Sequence, residues 1–311
     1  MTTQSNALQE SAIESQRTAP AVVSATRPLY WSVRRELWEN RSIYLAPLGV
    51  ASAFLVGFLI SLIQLPAKMR GLSALDPAHQ REAIARPYDI AAGLMMLTGI
   101  IVSVFYCLDA LHGERRDRSI LFWKSLPVSD RTTVLAKASI PLVVVPLLTS
   151  AVAVGMYWIM LLLSSAVVLG SGQSVATLWT QVSFLQMSLL LLYHIFTAHT
   201  LWPAPIYGWL LLVSGWARRA TFLWAALPLI AIAGVEGIAF HSSHFAALVG
   251  SRLIGAEPPT GYTPTNVFPT DPMTHIMPAH FLSSPGLWIG LAVTAAFLAA
   301  GVRLRRYQGP I

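Results

Sequence analysis

The chain has 311 residues, 55% of them hydrophobic and 11% charged, with a mean hydropathy of +0.59. Against the roughly 25% charged residues of a soluble domain, this composition excludes a soluble globular enzyme and fits a polytopic membrane protein. The formal net charge is +7, but the basic residues concentrate between apolar runs and so report membrane orientation, not nucleic-acid binding.

Residues 1–26 are rich in Ser, Thr, Gln and Ala without a continuous apolar core, and read as a disordered cytoplasmic tail, not a cleaved leader. Residues 27–43 place Tyr30, Val33 and Leu37 at helical spacing, with Trp31 and Trp38 seven apart and Arg34, Arg35 and Arg41 on the other faces. An amphipathic interfacial helix has this pattern, and so does the aromatic and basic flank of an ordinary first span.

A helix needs about 20 apolar residues to cross about 30 Å of hydrocarbon. Six segments qualify, at about Tyr44–Ile63, Ile90–Leu111, Ile140–Leu163, Val182–Ser214, Phe222–Phe240 and Pro285–Val302. They define an all-α, six-helix transmembrane domain over 44–304, followed by a cytoplasmic tail, 305–311. Pro141 and Pro146 are expected to bend the third span. The fourth is too long for one straight crossing and reads as one long helix broken at Trp202-Pro203-Ala204-Pro205. Six spans put the two termini, the 112–139 loop and Arg218-Arg219 on one side, with sixteen of the 21 Lys and Arg. Lys68, Arg70, Arg81, Arg86 and Arg252 fall on the other. Positively charged loops stay inside, so both termini are expected in the cytoplasm. The outer loop 242–284 holds a short apolar piece, Phe245–Ile254, then six prolines. That piece is too short to cross and is expected to dip into the membrane and return.

Cys107 is the one cysteine, which excludes an intrachain disulfide and a thiolate metal cage. Gly170-Ser171-Gly172-Gln173-Ser174 has glycines without the Lys-Ser/Thr that grips phosphate and magnesium, so no P-loop is present. The common zinc-hydrolase and serine-hydrolase signatures are also missing. His241, His244, His275 and His280 share the outer loop, but only Asp271 stands near them as a further ligand, and they read as solvated loop residues, not a metal site. Two carboxylates and two histidines lie within the spans: Asp109, Glu236, His194 and His199. Such groups line pathways or make interhelical hydrogen bonds. Asp109 lies near the inner end of its span, within reach of Arg115 or Arg116. Glu236 lies near the outer surface, where it either faces a vestibule or ends a helix.

Between the second and third spans runs Glu114 to Lys137, ERRDRSILFWKSLPVSDRTTVLAK. Ile120, Trp123, Leu126 and Pro127 recur at spacings of three and four, an apolar stripe on a short helix parallel to the membrane. Proline ends that helix, and Ser129-Asp130 can cap the next. The surface fits a protein partner; its basic charge alone also fits anionic lipid.

At these residues the sequence resembles the permease subunits of ABC-2 type transporters. In that family this loop reads acid, basic residues, an apolar stripe, then Leu-Pro-Val-Ser and a lysine entering the next span; Glu114, Arg115, Leu126, Pro127, Val128, Ser129 and Lys137 match in order. The interfacial helix, the six spans and the re-entrant outer piece also match, over residues 27–306. The resemblance implies an exporter subunit of the bacterial cytoplasmic membrane that pairs with a second permease copy, identical or related, and with separate ATPase subunits. ATP and Mg²⁺ would sit on those ATPases, and this chain would be neither an enzyme nor a cofactor binder. Glu114, Arg115, Ile120, Phe122, Trp123, Leu126, Pro127, Val128 and Ser129 would form the docking surface. The proline-broken fourth span and the proline-rich outer loop depart from the pattern and leave the cargo open. Two readings compete: a secondary transporter relaying protons through Asp109, His194 and His199, and an intramembrane enzyme using Glu236 with His241 or His244.

Overall fold

The computed structural model describes residues 26–72, 76–125, 128–181, 183–254, 278–307 and 309. Every regular element among them is helical. Six helices are long and apolar enough to cross a membrane, making this an all-α, multi-pass membrane protein.

The chain begins with α1 (Thr26–Glu39), which turns through Asn40 into the first span, α2 (Ser42–Leu62). A short α3 (Leu65–Leu72) leads to α4 (Pro77–Ala110), where Pro77 occupies the first helical turn, a position that needs no backbone donor. This helix starts well before the apolar run at Ile90, so Arg81, Arg86 and much of the first outer loop are helical. After α5 (His112–Arg116) and α6 (Ile120–Ser125) comes α7 (Asp130–Ser139), capped by the Ser129 hydroxyl, which accepts from the Thr132 N–H at 3.1 Å. Between α5 and α6 the chain reverses at Arg118, whose φ of 58° is left-handed.

The third span is not one continuous α-helix. A π-turn at Ile140–Val144 separates α7 from α8 (Val145–Gly170), and Val145 N–H bonds back to Ile140 O. Pro141 sits at its start; its missing donor removes an ordinary helical bond. After α9 (Ala176–Gln181), the fourth segment has the same device. The π-turn Thr197–Leu201 follows α10 (Phe184–Phe196), Trp202 N–H bonds Thr197 O at 2.9 Å, and the chain breaks at Trp202-Pro203 before α11 (Ala204–Trp216). The two π-turns pack against each other. The last described helices are α12 (Thr221–Phe240), α13 (His244–Ile254), α14 (Pro278–Ser283) and α15 (Pro285–Tyr307). The helix α13 covers the predicted Phe245–Ile254 piece; the loop beyond it, with His275, lies outside the described residues.

Among the described residues two large apolar cores lie along the bundle, with a smaller one around Met69, Ile84, Val168 and Leu178. One, around Cys107, Ile140, Tyr207 and Leu211, joins α4, the first π-turn and α11 at the end carrying α5 and α6, called here the loop end. The other, around Met95, Met96, Met156 and Met160, joins α2, α4 and α8, with flexible thioethers filling the space between the helices. The helix α15 packs on α11 through the small Gly208, where an added Cβ would stand 3.3 Å from Thr294. The helix α12 buries little besides Ala225.

Candidate functional site

The loop end contains a buried ionic cluster. Glu36 of α1 is 1% exposed, although Val33 and Leu37 beside it pack on the apolar core as their helical spacing predicts. Its Oε1 accepts from Lys137 Nζ at 2.8 Å and Arg35 Nη2 at 2.7 Å, and its Oε2 from the Tyr106 hydroxyl at 2.8 Å. Glu114 of α5 shares the same cations: its Oε1 lies 2.8 Å from Arg35 Nη2 and 3.2 Å from Lys137 Nζ, and its Oε2 accepts from Arg305 of α15. Arg305 Nε continues to Asp130 Oδ1 at 3.1 Å. Three cations (Arg35, Lys137, Arg305) thus face two buried carboxylates, Glu36 and Glu114, and two more exposed ones, Glu39 and Asp130, so each charge is balanced by an opposite one.

That balance decides the protonation state at α1. Burial opposes the charge on Glu36, but the Lys137 ammonium, with Arg35 and the Tyr106 hydroxyl, outweighs it and holds the carboxyl below its ordinary value of 4.5. For Arg35, burial works against the charge, and Glu36, Glu39 and Glu114 more than compensate. The cluster ties α1, α5, α7 and α15 together through full charges in a low-dielectric interior, where loss of one partner is costly.

The short helix α6 hangs from this cluster. Ile120 is 2% exposed and faces inward, and the Trp123 ring lies under the Arg35 guanidinium, 3.9 Å from centroid to Cζ. Leu121 and Phe122 point outward, 59% and 60% exposed. The predicted docking stripe is therefore corrected at its first residue: Ile120 anchors the helix and presents nothing to a partner, because its side chain packs against the chain's own core. The helix ends at Ser125; Leu126 and Pro127 lie outside the described residues, Val128 is half-buried, and Ser129 is spent on its cap.

Glu114 and Arg115 are also internal. Arg115 Nη1 donates to Gly215 O at 2.7 Å and Ala217 O at 3.4 Å, placing a cation on the carbonyl end of α11 where the helix dipole favours it. Asp109 pairs with Arg116 at 3.5 Å. Arg35, expected on an outer face of α1, turns inward with Glu36.

The remaining candidates separate. His199, Thr149, Ser103 and Tyr207 line a cavity of about 20 Å³ beside the two π-turns, and Thr149 Oγ1 and His199 Nδ1 are buried there without a hydrogen-bond partner. His194 Nδ1 lies 2.9 Å from Leu190 O, inside its own helix. Asp109 is six residues past Ser103, about 9 Å of helical rise, so it does not line this cavity. Glu236 accepts from the backbone N–H groups of His244 and Phe245 and from the Ser242 hydroxyl, each at 2.8 Å, and so satisfies donors at the start of α13. Among the described residues no group of three potential metal ligands occurs.

Sequence reading missed Glu36, Arg35, Arg305, Tyr106 and Asp130 as site residues, and took Lys137 only as part of a motif. One signal was present: an acid at position 36 shares the helical face of Val33 and Leu37, where a solvated charge does not belong. Comparison with protein-family models, with curated proteins and with solved structures finds no match to this chain, so the site is read from its own geometry.

Proposed function

We propose that this chain is the membrane-embedded permease subunit of an ABC-2 type exporter, with both termini in the cytoplasm and α6 as the element that meets a separate ATPase. One observation carries the reading: α6 is held on its inner side by Ile120 and Trp123 while Leu121 and Phe122 project from the loop end. A helix with one face pinned and the other bare can be pushed as a unit. ATP-driven closure of the partner would press on that bare face, and the Trp123–Arg35 contact passes the displacement into the ionic cluster. Because the cluster joins α1, α5, α7 and α15, the push reaches the second, third and sixth spans together. The interlocked π-turns supply places where the third and fourth segments can shift register without losing a whole turn. A second permease copy would complete the path, and ATP and Mg²⁺ belong to the ATPase. The two free energies that matter are those of the loop-end conformations with and without the nucleotide-bound partner.

The proton-relay alternative has less support, since Asp109 is engaged by Arg116 away from the His199 cavity, and the intramembrane-enzyme alternative has less support, since Glu236 is occupied as a cap.

The test uses the full chain and an ATPase sought among the products of the neighbouring reading frames by its Gly-x-x-x-x-Gly-Lys-Ser/Thr. Wild type is expected to co-purify with that ATPase and raise its hydrolysis. The Leu121→Glu/Phe122→Glu variant is expected to keep its melting temperature and lose the complex by more than about tenfold, as for paired apolar anchors of an interface. An intact complex in that variant, or no complex with wild type, overturns the assignment.

A further inference from the structure

A groove of about 790 Å³ opens at the loop end between α7 and α15. Its two walls change character along their length. On α15, Ala295, Leu298, Ala299 and Val302 follow one helical stripe that continues into Arg303 and Arg306; on α7, Val134 and Leu135 lead to Arg131. From Ala295 to Arg306 the helix rises about 16 Å, so an apolar trough ends in a basic mouth at the edge of the span. The guanidinium groups of Arg131, Arg303 and Arg306 are exposed, and none has a carboxylate partner among the described residues; the nearby Asp130 is taken by Arg305.

We infer that this groove binds an anionic phospholipid, its phosphate held by Arg131, Arg303 and Arg306 and an acyl chain laid along Val134, Leu298 and Val302. Guanidinium forks match phosphate oxygens, and basic pockets between spans are recognised sites for anionic headgroups. The apolar trough distinguishes a lipid from a soluble phosphate, which would have no use for it. The site does not depend on an ATPase partner; only the naming of its leaflet as cytoplasmic rests on the orientation proposed above. Because Asp130 lines the groove and also holds Arg305, a bound phosphate would act on the ionic cluster one residue away.

The experiment titrates delipidated full-length chain in detergent with dioleoylphosphatidylglycerol or dioleoylphosphatidylcholine and counts bound lipid by native mass spectrometry. Wild type is expected to bind the anionic lipid at least about tenfold more tightly. The Arg131→Gln/Arg303→Gln/Arg306→Gln variant is expected to lose that preference, since each basic residue near a headgroup contributes about fivefold. Equal binding of the two lipids by wild type, or an undiminished preference in the triple variant, overturns the inference. Displacement of phosphatidylglycerol by millimolar inorganic phosphate overturns the lipid assignment in favour of a soluble anion. Should the triple variant not fold, Ala299→Trp blocks the trough without changing charge. Loss of the preference in that variant supports the site, and its persistence overturns it.

Discussion

Moving Glu36 out of water costs several kcal/mol, and three hydrogen bonds with two adjacent cations offset that cost. The Glu36→Gln variant keeps the shape but leaves Lys137 and Arg35 undercompensated. It is expected to lose about 3–5 kcal/mol, read as a lower midpoint in thermal melts of the detergent-solubilised chain. Adding Lys137→Met should recover part of the loss, because the stranded ammonium is then gone. A midpoint unchanged in the single variant would show that the cluster does not hold α1. The pH dependence follows from the lowered carboxyl of Glu36. Its stabilising contribution is fully present above the unfolded value of 4.5 and disappears as the pH falls through the lower folded value. Melts between pH 7 and pH 3 should therefore fall more steeply below 4.5 for wild type than for Glu36→Gln, and parallel curves would contradict the assignment.

Among the elements, α13 depends most on one distant side chain. Its first N–H groups have no intrahelical acceptors, and Glu236, in the last turns of α12, supplies two of them. Glu236→Ala is expected to speed amide exchange over residues 244–248 by about tenfold while the global melting point stays within a degree or two, as for a locally opening unit. Exchange that matches wild type would mean the cap contributes nothing. The elements themselves were largely legible in the sequence. Long apolar runs marked the six spans, and Pro141 and Trp202-Pro203 marked the breaks, because a missing donor is a local property. The start of α4 was not legible: residues 77–89 mix Arg81, Glu82 and Arg86 with apolar residues, so helical order there comes from packing with α3 and α9, and not from hydropathy. The orientation of α6 was also hidden, since periodicity finds an apolar stripe without saying whether it faces the chain's own core or a partner.

At the scale of the whole molecule, the cluster explains why α1 and the last turns of α15 lie together. Glu114 and Arg305 are 191 positions apart, yet they pair at the same place where α1 brings in Glu36. No pattern within a single segment foretells that meeting; each charge alone resembles an ordinary flanking residue of a span. The pairing independently agrees with an even number of crossings, which returns the chain to its starting side. The basic-residue count leads one to expect that side in the cytoplasm, because sixteen of 21 Lys and Arg fall with the termini, the 112–139 loop and Arg218-Arg219. Lys68, Arg70, Arg81 and Arg86 gather on the opposite side, around α3 and the start of α4. Fusions decide the matter. Alkaline phosphatase joined within residues 255–277 should be active and joined after Tyr307 inactive, while green fluorescent protein after Tyr307 should fluoresce. The reverse pattern would turn the protein over, placing α6 and its exposed Leu121 and Phe122 where no ATP-driven partner can reach them.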